Sequence, residues 1–252
     1  MSHADLSGVR VKIDRAKTHL NDFDAQERLI IEACRRAIFQ HPGVRNEHIF
    51  RFDKVPAVHP VLNAMIGDAI HNLRASLDHL AWQLVIATGN NPSTNTSFPI
   101  LTTAPTPDRW GHIRPQISPG VPQPVREILD EVQPYKRAKP AHHDLAVLHE
   151  LDIIDKHREL LIAIIGVQSL SWFGMVETTR FNSGPYHDGD EICRFAYSGW
   201  KTDFWPVFGL TVRLDEPAAG PWRLMLSAAD LVRRSLNYVE DEVLPRFRGY
   251  IA

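Results

Sequence analysis

The chain has 252 residues, 28 basic and 30 acidic side chains, two cysteines and a composition that is 44% hydrophobic and 23% charged. That length holds one large domain or two small ones with a core that needs no covalent staples, and the average composition excludes global disorder. A net charge of -2 excludes a uniformly basic nucleic-acid coat, and two cysteines outside any CxxC pair exclude a disulfide framework or a zinc knuckle.

In chain order, residues 10–40 read as a first helix, with Phe23, Leu29, Ile30, Ala33, Ala37 and Ile38 at helical spacing and His41-Pro42-Gly43 as its stop. Residues 48–55 alternate and carry aromatics, which predicts a short strand. Residues 61–87 form a second helix closed by Gly89-Asn90-Asn91-Pro92. Residues 90–140 hold ten of the 18 prolines and read as irregular, with one short helix near 125–132. A third helix spans 141–166. Beyond it the period changes, and 173–181, 191–197 and 207–214 read as strands. A last helix runs from 227 to 248, with Ser227 or Asp230 as its cap. The expected class is α+β: a single domain over 1–252, with a helical core from 10–90, 141–166 and 227–248. An antiparallel sheet of about four strands is inserted between the helices, the strand at 48–55 joining those of the 168–215 insertion.

The second helix carries unusual chemistry. Ile66, Ala69, Ile70, Leu73, Leu77, Leu80, Ala81 and Leu84 gather on one side. Asp68, His71, Asn72, Arg74, Asp78 and His79 gather on the other, with Trp82. That polar face lacks the lysines and glutamates of an ordinary wet surface. A tryptophan on it predicts that other structure covers it.

Arg74-Ala-Ser-Leu-Asp78-His79 resembles the Arg-x4–6-His signature of HEPN domains. The resemblance covers essentially this one helix. The family is all-helical, and many members are metal-independent endoribonucleases of defence, toxin–antitoxin and RNA-processing systems. Several work as dimers with the motif at the interface. The resemblance implies RNA as partner, a homodimer, and Arg74 and His79 as the catalytic pair; in that scheme Asp78, Asn72 and His157 would orient or support them. The chemistry has a rationale, since arginine forks onto phosphate and histidine moves protons near neutral pH. Here Ala75 follows the arginine where the family has a polar residue.

The third helix is apolar nearly all round, yet His149, Asp152, Asp155, Lys156 and Glu159 form one stripe, with His157 and Arg158 to either side. Such a stripe is either an ion-pair network, Asp152–Lys156 among its pairs, or part of a site. Lys156 and Arg158 are the candidate substrate-binding cations. The two stripes are expected to meet, with Arg74 and Asp78 facing Asp155, Lys156 or His157.

Two other readings stand beside the nuclease. Asp68-Ala-Ile-His71 puts a carboxylate and an imidazole on one helix face. A metal-dependent hydrolase-like site would use His71, Asp78, His79, Asp155 and His157, with zinc, manganese or iron. Alternatively the stripes glue together a non-enzymatic binding or regulatory module. No phosphate-binding loop, dinucleotide fingerprint or nucleophile elbow occurs. Cys34, in an apolar helical stretch, reads as a small buried hydrophobe. The longest apolar run, 160–167, is too short for a bilayer, and the N-terminus lacks a signal-peptide core. With so few cysteines, the expectation is a cytoplasmic protein with no membrane partner.

Overall fold

The computed structural model describes residues 4–42, 46–106, 121–157, 163–172, 176–197 and 205–251. The described helices are α1 (Ser7–Arg36), α2 (Pro60–Ala87), α3 (Gln123–Glu131), α4 (Asp144–His157), α5 (Ala228–Asn237) and α6 (Leu244–Phe247), with a π-helical turn over Tyr238–Val243 joining the last two. The strands are β1 (Ile38–Pro42), β2 (Glu47–Phe52), β3 (Ala163–Ser171), β4 (Val176–Phe181), β5 (Glu191–Tyr197) and β6 (Val207–Leu214). The class is α+β, as expected. Among the described residues no helix is long and apolar enough to cross a membrane.

Helix α2 is the axis of the core. Leu62, Ile66, Ala69, Ile70, Leu73, Leu77, Leu80, Ala81, Leu84 and Val85 are all buried, which is the apolar side read from the sequence. Pro60 opens it with a φ already suited to a first turn, and the His59 ring accepts the Val61 N–H at 3.1 Å. Gly89, at φ 75°, supplies the left-handed residue just past its end. Helix α1 packs along α2 through Val9, Ile13, Ala16, Leu20 and Phe23, and α4 and α5 pack on other sides. Helix α5 starts on Ser227, whose hydroxyl accepts the Asp230 N–H at 2.9 Å.

The strands form two units, not one sheet. The four-stranded sheet has the order β1-β2-β5-β4, all antiparallel, and β3 and β6 make a separate antiparallel ribbon. Phe50 of β2 ties the two together, meeting Phe195 of β5 at 6.1 Å and Phe208 of β6 at 5.8 Å between ring centroids. The strand expected at 48–55 is β2, and it does join β4 and β5; β6 pairs elsewhere.

Three expectations shift. The first helix ends at Arg36, because Ile38–Pro42 instead pairs with β2, Ile38 opposite Phe52. The third helix ends at His157 among the described residues; Ala163–Ser171, rich in β-branched residues, is strand β3 against β6. Leu29 stands exposed at 64%, and Trp82 at 41%, so the polar face of α2 is not covered at Trp82 as that tryptophan suggested. Within the proline-rich stretch, residues 98–101 lie as a strap. The buried Gln133 side chain donates to the Pro99 carbonyl at 3.0 Å and accepts the Leu101 N–H at 2.9 Å.

Candidate functional site

The polar face of α2 divides between two neighbours. One half, Gly67, His71, Arg74 and Asp78, turns toward α4; the other half, Asn72 and His79, turns toward α1. This follows from helix phase: at about 100° per residue His71 and Asp78 lie within about 20° of each other, while Arg74 and His79 diverge by about 140°. On the α1 side, Lys12 donates to Asn72 Oδ1 at 3.3 Å, and a methyl group on Gly8 would stand 2.9 Å from His79 Nδ1. His79 lies on the first turn of α1 with an exposed ring.

On the α4 side the stripes meet, antiparallel. His71 Nδ1 lies 3.4 Å from Asp152 Oδ1, and the other oxygen of that carboxylate accepts from Lys156 Nζ at 2.8 Å. The Asp152 side chain is only 6% exposed, whereas that of His71 is 47% exposed. A buried carboxylate needs such partners, and here it has an imidazole and an ammonium. One turn earlier on α2 and one later on α4, Gly67 admits the Asp155 carboxylate: a Cβ on Gly67 would meet Asp155 Oδ1 at 2.5 Å. That oxygen is buried with no hydrogen-bond partner among the described residues. Burial, then the neighbouring carboxylates of Asp68 and Asp152, pushes the Asp155 carboxyl up.

Toward the other end of the seam, Arg74 is buried and holds two protein partners. One guanidinium nitrogen donates to Asp78 Oδ1 at 2.7 Å and another to the Phe98 carbonyl at 3.0 Å. Asp78 Oδ1 also accepts the Phe98 N–H at 2.9 Å. The pair thus grips both backbone polar groups of one residue of the strap. His149 of α4 is held below its ordinary value, first by burial and then by Arg74. Its Nδ1 is buried without a partner among the described residues.

The expected meeting of the two helices is therefore present, but through other pairs: His71 with Asp152 and Gly67 with Asp155, in place of Arg74 or Asp78 with Asp155, Lys156 or His157. Asp152 and His149 are legible in the sequence as stripe members and do more than stripe membership assigns them. Gly67, a glycine opposite a carboxylate stripe, is the signal that sequence reasoning misses. His157 is exposed at the end of α4. Arg158 and Glu159 lie outside the described residues. Arg74 bonds Asp78 and Phe98 while His79 lies beside Gly8 of α1, and helix phase sets the two residues about 140° apart.

The five residues of the metal reading are also spread apart. Asp78 is ion-paired with Arg74, His79 lies on α1, Asp155 lies on Gly67 and His157 lies at the end of α4. Among the described residues no three His, Cys, Asp or Glu side chains form a metal-holding group.

The other residues singled out in the sequence resolve as packing. Cys34 and Cys193 are buried, and burial pushes their thiols up to about 11 and about 12. His143 caps α4 through the Leu145 N–H at 3.2 Å. The basic clusters are largely paired: Lys136 with Asp130, Arg234 with Asp144 at 3.1 Å, Arg246 with Glu131 at 3.0 Å. Of the aromatic group near the sheet, Phe208 is buried, whereas Trp172 and Trp205 stay exposed while their rings meet Phe195 and Phe50 at 5.2 Å; Phe173, Trp200 and Phe204 lie outside the described residues. Comparison with known proteins returned no match to a protein-family model, a curated protein or a solved structure.

Proposed function

We propose that this chain is a metal-independent, HEPN-like endoribonuclease whose acid–base group is His71 rather than His79. The observation that carries the reading is the exposed His71 ring backed through Nδ1 by the buried Asp152, with Lys156 on the same carboxylate. An ionised Asp152 keeps the proton on Nδ1 and leaves Nε2 as the base. In this scheme Nε2 takes the proton of a ribose 2′-hydroxyl. The freed oxygen attacks the adjacent phosphorus, the bond to the 5′-oxygen breaks, and the imidazolium returns its proton to that leaving oxygen. The products are a 2′,3′-cyclic phosphate and a 5′-hydroxyl. Lys156, 39% exposed, offers its ammonium to the phosphate charge. Arg74 is a positioning residue, since both its bonds go to protein groups. A homodimer, and a role in a defence or toxin-type system, belong to this proposal through the resemblance alone.

One observation favours a second reading. The Arg74–Asp78 grip on Phe98 is a structural clamp, and the Asp152–Lys156 pair can be one too. The stripes would then glue together a non-enzymatic binding or regulatory module.

RNA cleavage in EDTA separates the readings. The nuclease reading expects cleavage by the wild type, lost by at least about a hundredfold in His71→Ala and Asp152→Asn and retained in His79→Ala, on the scale general acid–base groups contribute. Loss in His79→Ala with retention in His71→Ala restores the Arg74–His79 pair. A wild type that cleaves nothing leaves the structural module.

A further inference from the structure

A groove of about 500 Å³ opens where the second half of α1 crosses the β3–β6 ribbon and the start of α5. It shares no residue with the α2–α4 seam. That volume lies within the range of small-molecule sites. Its polar groups are unevenly satisfied. Glu27 accepts the Val212 N–H at 2.8 Å and the Thr211 hydroxyl at 3.0 Å, both on Oε1. The second oxygen, Oε2, receives no donor among the described residues. Burial pushes the Glu27 carboxyl up, against the opposing pull of its bonds to Val212 and Thr211.

The cations of the groove differ in the same way. Arg35 is paired with Glu32 at 2.7 Å, and Arg233 with Asp24 and Asp230. Arg28, exposed on the groove wall, has no carboxylate partner among the described residues. Ile31 and Leu210 supply an apolar surface beside these two groups. The groove thus presents one acceptor lacking a cationic donor, one cation lacking an anion, and an apolar patch.

We infer that this groove binds a small aminocarboxylate, an amino acid with an aliphatic side chain or a close analogue. Glu27 Oε2 takes the ammonium, Arg28 takes the carboxylate, and the aliphatic part lies on Ile31 and Leu210. Glu27 keeps its structural bonds through Oε1, so one carboxylate both anchors α1 to β6 and reads the ligand.

Calorimetric titration of the full chain with L-leucine tests this. Two analogues each lack one charge: 4-methylpentanoate, without the amine, and 3-methylbutylamine, without the carboxylate. A third probe, 5-aminopentanoate, widens the spacing of the charges. The expected result is saturable one-site binding of L-leucine or 5-aminopentanoate, at least roughly tenfold weaker for each single-charge analogue, as loss of a charged hydrogen bond implies. Glu27→Gln keeps an oxygen for the Val212 N–H and removes the charge. Arg28→Ala alters an exposed side chain and leaves the fold alone. Each is expected to weaken binding by a similar factor, while His71→Ala does not. No saturable binding of any probe, equal binding of the single-charge analogues, or binding indifferent to both groove variants each overturns the inference.

Discussion

The Arg74 clamp makes a prediction with a defined size. Arg74→Ala removes the 2.7 Å ion pair to Asp78 and the 3.0 Å bond to the Phe98 carbonyl, and it empties the space of the guanidinium stem. The Arg74 side chain is 9% exposed, so its bonds are not replaced by water at no cost; Asp78, at 36%, is partly rehydrated, which softens the loss. The expected destabilisation is about 3 kcal/mol, from one screened charge pair, one carbonyl left short of a donor and lost packing. At this chain length that lowers Tm by roughly 6–12 °C. Asp78→Asn keeps an acceptor for the Phe98 N–H and is expected to cost about 1 kcal/mol, and Asp78→Ala about 2 kcal/mol. Urea unfolding of the two alanine variants and their double mutant reads the coupling, expected at about 1–2 kcal/mol. If Arg74→Ala costs less than about 0.5 kcal/mol, the reasoning fails, and the guanidinium is free to hold a phosphate.

Four further outcomes follow from other parts of the structure. Gly67→Ala is expected to destabilise by about 1–2 kcal/mol despite the better helix propensity of alanine, and Asp155→Ala in the same chain should recover most of it, read as urea midpoints. The folded state holds the Asp155 proton more tightly than the unfolded chain does, so the charged form opposes folding once pH rises above the ordinary value of 3.8. Asp155→Asn should therefore raise Tm at pH 7 and lose that advantage near pH 4, which a pH series of melts checks. For His149 the folded state resists protonation, so stability is full above 6.5 and declines as pH falls from 6.5 to the lowered folded value; His149→Leu should flatten that part of the stability profile. Cys34 and Cys193 should resist Ellman's reagent in the native protein and react on unfolding, both being buried with thiols pushed far above neutrality.

The parts of the fold that local pattern controls are readable in the sequence. The apolar side of α2 is legible residue by residue, and β5 and β6 fall where alternation places them. The misplacements come where two periods compete. Ala37 and Ile38 continue the spacing of α1, yet Ile38 also begins the alternation of β1, and pairing with Phe52 decides the matter. Ile164 and Ile165 continue the apolar run of α4, yet β-branched residues opposite Arg213 and Val212 favour the ribbon. Sheet membership is not legible because no local signal says which edge a strand will meet. The strap at residues 98–101 is invisible for a like reason: its partners Arg74, Asp78 and Gln133 lie 20 to 34 residues away.

In the candidate site the composition of the stripes is legible and the pairing is not, and helix phase explains why. A polar arc wide enough to hold Arg74 and His79 is too wide to face a single neighbour. Two helices share it, α4 taking His71, Arg74 and Asp78, and α1 taking Asn72 and His79. A motif written as Arg-x4-His counts residues along the chain, whereas chemistry needs groups on one side of the helix. The i and i+7 pair, His71 and Asp78, shares a side; the i and i+5 pair does not. Of the groups on the α4 side, Arg74 and Asp78 are occupied with Phe98. His71 combines an exposed ring with a buried carboxylate behind its Nδ1, which is why the proposal places the acid–base role on it and not on His79.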